Sequence, residues 1–344
     1  MSYITYFDLL GTRGFCDDSE LYYDNLIRFN KAVYQTGSLL LDYGEVGVFS
    51  DSAYAESRKL KLLLKFLVLL RNRLMADGLF FNAVVKKGEL GIKSLADYAK
   101  NVYGVAFQNK EIAKLYIAQT NFKGIGIFID TSITDQELVE ADCLVSDCIF
   151  MKRISNNFND EFIPIGYRDI SLKAYDSLAN NNKKYWETIL ELFLRRFYEA
   201  FIKNPKHGAY YISLFSNFIR SFGTDLTWDM KTKSFHNAPI IFDIINKMVT
   251  TSYDNLRNLP GLECLVLVML DVAYCSDSLN EHEKDSITKE YAKINCISNK
   301  YLQNLDSLPQ GIFHSTSAGN YRDRFIRYCQ KHSAGDFVNT VFPN

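Results

Sequence analysis

The chain predicts an α+β domain over residues 1–168, followed by a helical region over 169–344. Three observations carry that expectation. Short β-prone runs, Tyr3–Gly11 and Val46–Ala53 among them, close on turn residues. Stretches with apolar side chains at helical spacing alternate with these runs. After about Arg168 the strand-like runs give way to helix-like periodicity.

Taken in order, Ile4 to Leu10 reads as a buried strand. Asp17, Asp18 and Ser19 offer capping chemistry for an amphipathic helix from about Glu20 to Asp42. Two strands flank the Ser50-Asp51-Ser52 turn, and a helix follows from about Ser57 to Ala76, ended by Asp77-Gly78. A strand covers Leu79 to Lys87, broken by Gly88-Glu89-Leu90-Gly91. Beyond a polar loop, Tyr103-Gly104 leads into a helix from Val105 to Ala118 and a strand from Gly124 to Asp130. Strands near Cys148–Ile154 and Glu161–Ile165 form a hairpin across Asn156-Asn157. The order β-α-β-β-α-β-α-β predicts a mixed, largely antiparallel sheet, as in palm-like nucleotidyl-transfer domains and ferredoxin-like folds. Past Arg168, the stretches Lys173–Phe201, Ala209–Phe222, Pro239–Leu256, Gly261–Tyr274, Glu281–Leu302 and Arg322–His332 read as helices.

Composition narrows the function classes. With 39 basic against 40 acidic side chains, a general nucleic-acid or anionic-membrane binder is not expected, although a local basic patch is compatible. The 25 Phe and 22 Tyr are spread along the chain, as core and interface filling requires, rather than gathered into a base-stacking platform. The seven Cys show neither a CxxC pair nor zinc-type spacing with His, which suggests reduced thiols in a cytoplasmic protein. The N-terminus runs straight into a strand, so no targeting segment is expected. The most apolar helix, Leu60 to Leu70, carries Lys61 and Lys65 and is too short to span a bilayer.

Asp8 and Asp51 are the candidate catalytic and metal-ligating residues. Each sits at the mouth of an apolar run, Asp51 at a hairpin tip. Carboxylates brought together this way suit Mg²⁺ or Mn²⁺ held against a triphosphate. Taken singly, a strand-end aspartate is also an ordinary turn former. The five His (207, 236, 282, 314, 332) are scattered and suggest no site.

Residues 3–130 resemble the catalytic domain of class III nucleotidyl cyclases. The likeness rests on Phe7-Asp8-Leu9-Leu10-Gly11, Phe49-Ser50-Asp51-Ser52, the strand Asn82 to Glu89, and Tyr103-Gly104-Val-Ala-Phe-Gln108. The Phe-Ser-Asp-Ser hairpin is closest to the bacterial pyrimidine cyclases of antiphage defence, which make cyclic UMP or cyclic CMP.

The resemblance implies two Mg²⁺ or Mn²⁺ ions per site, held by Asp8, Asp51 and the Leu9 carbonyl. It implies triphosphate contacts from backbone amides around Leu10, Gly11 and Thr12, with Arg13 reaching a phosphate or solvated. Ser50 of the hairpin joins the substrate-binding set. The reaction would be attack of a ribose 3′-oxygen on the α-phosphorus with loss of pyrophosphate. Gln108 falls at the place of the transition-state asparagine, while the family's arginine falls at Ile112, with Lys110 or Lys114 offered by a shift of register. The purine-reading lysine falls at Gly47, and the partner base-reading residue at Asn101, which is otherwise a plain loop residue. Lys86 and Lys87 either touch triphosphate or pair with acids such as Glu89. Family sites form between protomers, so a homodimer with composite sites is implied. Two other readings stay open: a palm-type synthase of cyclic di- or oligonucleotides, which usually carries Gly-Gly-Asp-[Asp/Glu] at the hairpin, and a catalytically degenerate nucleotide-binding module.

Overall fold

The computed structural model describes residues 2–10, 19–94, 105–107, 109–121, 124–142, 154–155, 161–164, 226–236, 262–274 and 276–294, with positions 196, 211, 246 and 327. The chain divides into two units. The first holds Met1–Phe150 and Phe158–Ile165; the second holds Met151–Asn157 and Gly166–Asn344.

In chain order the strands are β1 (Tyr3–Leu9), β2 (Gly44–Phe49), β3 (Ser52–Ser57), β4 (Phe81–Lys87), β5 (Ile92–Ser94), β6 (Val105–Phe107), β7 (Gly126–Asp130), β8 (Ile154–Ser155), β9 (Glu161–Pro164), β10 (Thr227–Asp229) and β11 (Ser234–His236). The described helices are α1 (Ser19–Gly37), α2 (Leu60–Ala76), α3 (Glu111–Asn121), α4 (Asp135–Asp142), α5 (Leu262–Tyr274) and α6 (Glu281–Ile294).

The strands of the first unit's sheet run in the order β2-β3-β1-β4-β7-β9. Every neighbouring pair is antiparallel except β4 with β7. The βαββαβ stretch from β1 to β4 therefore has its first strand between its third and fourth, the split arrangement of a ferredoxin-like fold. The unit is α+β with a mixed, largely antiparallel sheet, as expected.

Alternation along β1 explains the layering. Thr5, Phe7 and Leu9 point to one face and Ile4, Tyr6 and Asp8 to the other. On the first face Phe7 meets Phe29 of α1, Phe66 of α2 and Phe81 of β4, with ring centroids at 6.2, 6.0 and 5.8 Å. In α1 the buried residues Asn25, Phe29, Ala32, Val33 and Thr36 recur at helical spacing and form the stripe that faces this core. Helix α2 ends in a Schellman motif: Leu79 N donates to Leu74 O at 2.9 Å, Gly78 N donates to Met75 O at 3.0 Å, and Gly78 takes φ 70°. On the opposite face α3 lies over β1, where Tyr116 meets Tyr6 edge-on at 5.5 Å.

Two departures from expectation have local causes. The helix expected from Val105 begins only at Glu111, because Val105–Phe107 pairs with Ile92–Ser94 as a two-stranded ribbon. Val-Ala-Phe suits a strand once a partner lies alongside. Helix α2 starts at Leu60 rather than Ser57 because β3 continues to Ser57 opposite Tyr3. In the second unit, α5 and α6 lie within expected helices, whereas the β10–β11 hairpin went unplaced by the sequence reading. Its Trp228 is buried, stacks edge-on against Phe235 at 4.8 Å and donates through Nε1 to Ser286 Oγ at 3.2 Å.

Helix α4, also unplaced from sequence, brings Glu137 to the sheet. Lys87 Nζ lies 2.7 Å from Glu137 Oε1, Tyr3 donates its hydroxyl to the same oxygen at 2.8 Å, and the Thr134 amide donates to Oε2 at 2.9 Å. Lys87 was expected to pair with a neighbour such as Glu89; the fold supplies Glu137 instead. Burial alone would raise the Glu137 pKa, but the bonds from Lys87, Thr134 and Tyr3 outweigh it and hold it down at about 2. The folded pKa is thus below the ordinary 4.5. The stabilisation is complete above that ordinary value and is lost as pH falls from there through about 2. Glu137→Gln is expected to cost about 1.5–3 kcal/mol at neutral pH, the worth of hydrogen bonds to a charged group. In urea titrations the gap between variant and parent should close as pH approaches 2.

Candidate functional site

The two aspartates come together because β1 and β3 are neighbours. Asp8 lies directly opposite Ser52, and Leu9 N donates to Asp51 O at 2.8 Å. Asp51 therefore sits beside the end of β1 although 43 positions separate it from Asp8 (51 minus 8). Both are partly exposed. Tyr6, two residues before Asp8 and on the same face, feels both charges. Burial raises its pKa, a hydrogen bond to Ser52 opposes that rise, and the charges of Asp8, Tyr116 and Asp51 add to it.

The tip that carries Asp51 is tight. Ser50 takes φ 51°, a left-handed conformation unusual for a residue with a Cβ, and its hydroxyl lies 3.3 Å from that of Tyr22 on α1. Ser52 Oγ donates to Phe49 O at 3.2 Å across the turn. Tyr6 and Tyr22 were absent from the sequence-derived set. Period-two alternation puts Tyr6 on the face of Asp8 and was a readable signal; the reach of Tyr22 to Ser50 is tertiary and had none.

The remaining candidates divide by place. The Leu10 amide donates to Phe80 O at 2.8 Å, so it is committed to the backbone and cannot also serve a phosphate, contrary to expectation. Gly11, Thr12, Arg13, Asn101 and Gln108 lie outside the described residues. Lys86 lies opposite Ile4, four residues along β1 from Asp8, or about 13 Å at strand rise. There it acts on Glu111 of α3. Lys110 is exposed just before α3, and Lys114 is engaged with Glu111 at 2.7 Å. Within one chain, then, Lys86 lies remote from the aspartate pair.

Gly47 on β2 faces Tyr54 on β3, and a Cβ at Gly47 would overlap the Tyr54 hydroxyl and ring. Tyr54 is buried, with Phe107 edge-on at 4.7 Å and Phe49 at 5.3 Å; burial and then the Glu45 charge push its pKa up to about 12. The position expected of a base-reading lysine is thus closed by an aromatic side chain. Gly47→Ala is expected to lose about 1–3 kcal/mol in chemical denaturation, the usual cost of forcing volume into a filled site.

As a donor set, two carboxylates and the Leu9 carbonyl are hard oxygens suited to Mg²⁺ or Mn²⁺. Among the described residues no three of His, Cys, Asp and Glu gather into a metal-holding group. Two carboxylates suit a Mg²⁺-type site that water and substrate phosphates complete. Among the described residues, no helix is long and apolar enough to cross a membrane.

No family model matches the chain, and no curated protein matches it. Solved structures do. They include a bacterial light-regulated adenylyl cyclase, 10% identical, covering 49% of this chain and 91% of that one, at a TM-score of 0.36. The guanylate cyclase domain of RhGC from Catenaria anguillulae in complex with GTP is 8% identical and covers 49% of this chain and 97% of that one, at 0.35. The guanylyl cyclase Cya2 is 9% identical and covers 49% and 92%, at 0.33. These neighbours are nucleotide cyclases. At such distance the fold assignment rests on this chain's own strand order and register.

Proposed function

We propose that the first unit is a metal-dependent nucleotidyl cyclase, turning a nucleoside triphosphate into a 3′,5′-cyclic mononucleotide and pyrophosphate. The observation that carries the reading is the Leu9–Asp51 backbone bond, which sets Asp51 beside the end of β1 that bears Asp8. Asp8, Asp51 and the Leu9 carbonyl would hold Mg²⁺ or Mn²⁺. When bound, the cations lower the pKa of the ribose 3′-hydroxyl and neutralise the triphosphate. The chain's own part is to hold both carboxylates at the same end of the sheet and to orient the triphosphate beyond β1, so that the 3′-oxygen lies in line with the α-phosphorus.

UTP or CTP is the substrate in this reading. Tyr54 over Gly47 supports it by leaving no space for a purine-reading lysine. The distance of Lys86 from Asp8 along the sheet supports composite sites in a homodimer, since a second copy can bring what one chain keeps apart. The Phe49-Ser50-Asp51-Ser52 likeness alone supports a role as a source of second messenger in antiphage defence, and the cysteine pattern supports a cytoplasmic setting.

Purified protein with Mn²⁺ and each of the four ribonucleoside triphosphates, products resolved by mass, is the test. Cyclic UMP or cyclic CMP is expected. A cyclic dinucleotide would move the assignment to a palm-type synthase. One observation favours a silent nucleotide-binding module: Ile112 on α3 stands where the resemblance calls for an arginine and has no charge to set against a phosphate. Metal-dependent triphosphate binding with no product from any of the four would establish that second reading.

A further inference from the structure

Asp51 is flanked by two serines, and each reaches a tyrosine hydroxyl from a different element. Ser50 meets Tyr22 of α1 at 3.3 Å, and Ser52 bonds Tyr6 of β1. The Ser52 hydroxyl stands between Phe49 O, 3.2 Å away, and the Tyr6 phenol, and so links both across the turn. Ser50 keeps its side chain despite φ 51°, where glycine would sit free of steric cost. Strain at a turn beside an acidic pair asks what the retained hydroxyl does.

We propose that Tyr6 and Tyr22 are positioning residues that brace the Ser50-Asp51-Ser52 tip from both sides, holding the Asp51 carboxylate toward Asp8. The brace rests on the reading of the two carboxylates as one cation site. Neither phenol need touch the cation or the reacting atoms. Tyr6 ties the tip to the central strand that carries Asp8; Tyr22 ties it to the first turn of α1. A tip fastened on one side only is free to swing about the other, and the carboxylates then no longer converge without an ordering cost on binding.

The test uses the full chain, freed of metal with chelator and titrated with Mn²⁺ alone. In the Tyr6→Phe/Tyr22→Phe double variant, Mn²⁺ affinity is expected to fall about tenfold or more, the usual consequence of losing groups that orient metal ligands. The thermal midpoint of the metal-free protein should stay in place. Hydrogen exchange of the Leu9 amide, the donor to Asp51 O, should quicken at the same time. Ser50→Gly guards against a folding artefact: it relieves the left-handed backbone while removing one hydroxyl, so stability should hold or rise while Mn²⁺ affinity drops. Unchanged affinity together with unchanged Leu9 protection in the double variant overturns the brace. If the parent and Asp51→Asn bind Mn²⁺ alike, the cation reading itself has failed. Leu9 exchange then decides the brace alone, quicker in the double variant or not.

Discussion

Asp51→Asn and Asp8→Asn are each expected to lower cyclic nucleotide formation by more than about 10³-fold. A cation contributes several kcal/mol of charge stabilisation at the reacting phosphate, and each 1.36 kcal/mol is a factor of ten in rate. The same substitutions should leave the fold standing. Both side chains are partly exposed, and the backbone bond from Leu9 to Asp51 does not depend on the carboxylate. In chelator the Asp51 variant is expected to melt no lower than the parent, because removing one of two neighbouring like charges relieves repulsion. Activity lost with stability kept is the signature sought, read by product mass and by thermal melting in chelator and in Mn²⁺. Full turnover in either variant would show that the carboxylates do not form the site.

Phe7→Ala should have the largest effect on stability. Phe7 is fully buried and is the ring at which β1, α1, α2 and β4 meet, through Phe29, Phe66 and Phe81. Truncation removes the transfer free energy of the ring, leaves a cavity between layers and ends three ring–ring contacts, a loss of about 3–5 kcal/mol. Phe7→Leu should recover much of that loss by refilling the space. Hydrogen exchange of β1 and β4 amides under native conditions separates this unit from the other and reads the difference directly. Because Phe7 adjoins Asp8, the Ala variant is also expected to weaken Mn²⁺ binding, whereas the Leu variant keeps it.

What could be read from the chain depended on how local its cause was. The Asp77-Gly78 stop of α2 and the buried strand Ile4–Leu10 are local, and both were legible. The apolar run of β1 placed Asp8 at its mouth, and the Ser-Asp-Ser turn placed Asp51, but their adjacency needed β3 to lie beside β1. Val105–Phe107 was misread as helix because its strand character comes from β5 rather than from its own three residues. Helix α4 was overlooked although it announces itself: Thr134 and Glu137 bond reciprocally as a capping box, Glu137 N to Thr134 Oγ at 3.3 Å and Thr134 N to Glu137 Oε2 at 2.9 Å. That Glu137 then turns to Lys87, 50 positions away, is beyond any pattern in the sequence. Gly47 read as a missing lysine; only the fold shows it as the space Tyr54 occupies.

The position of β1 in the sheet has a consequence for how the chain is made. It leaves the ribosome before either of its neighbours, yet it belongs between β3 and β4, whose last residues are Ser57 and Lys87. At ordinary elongation rates the stretch from Leu9 to Lys87 takes on the order of 4 to 16 s to synthesise. Through that interval at least one edge of an apolar strand stays open, and an open edge accepts another chain as readily as its own. Nascent copies on one message carry the same open edge side by side, so aggregation is expected to begin on the polysome, before β4 has been made.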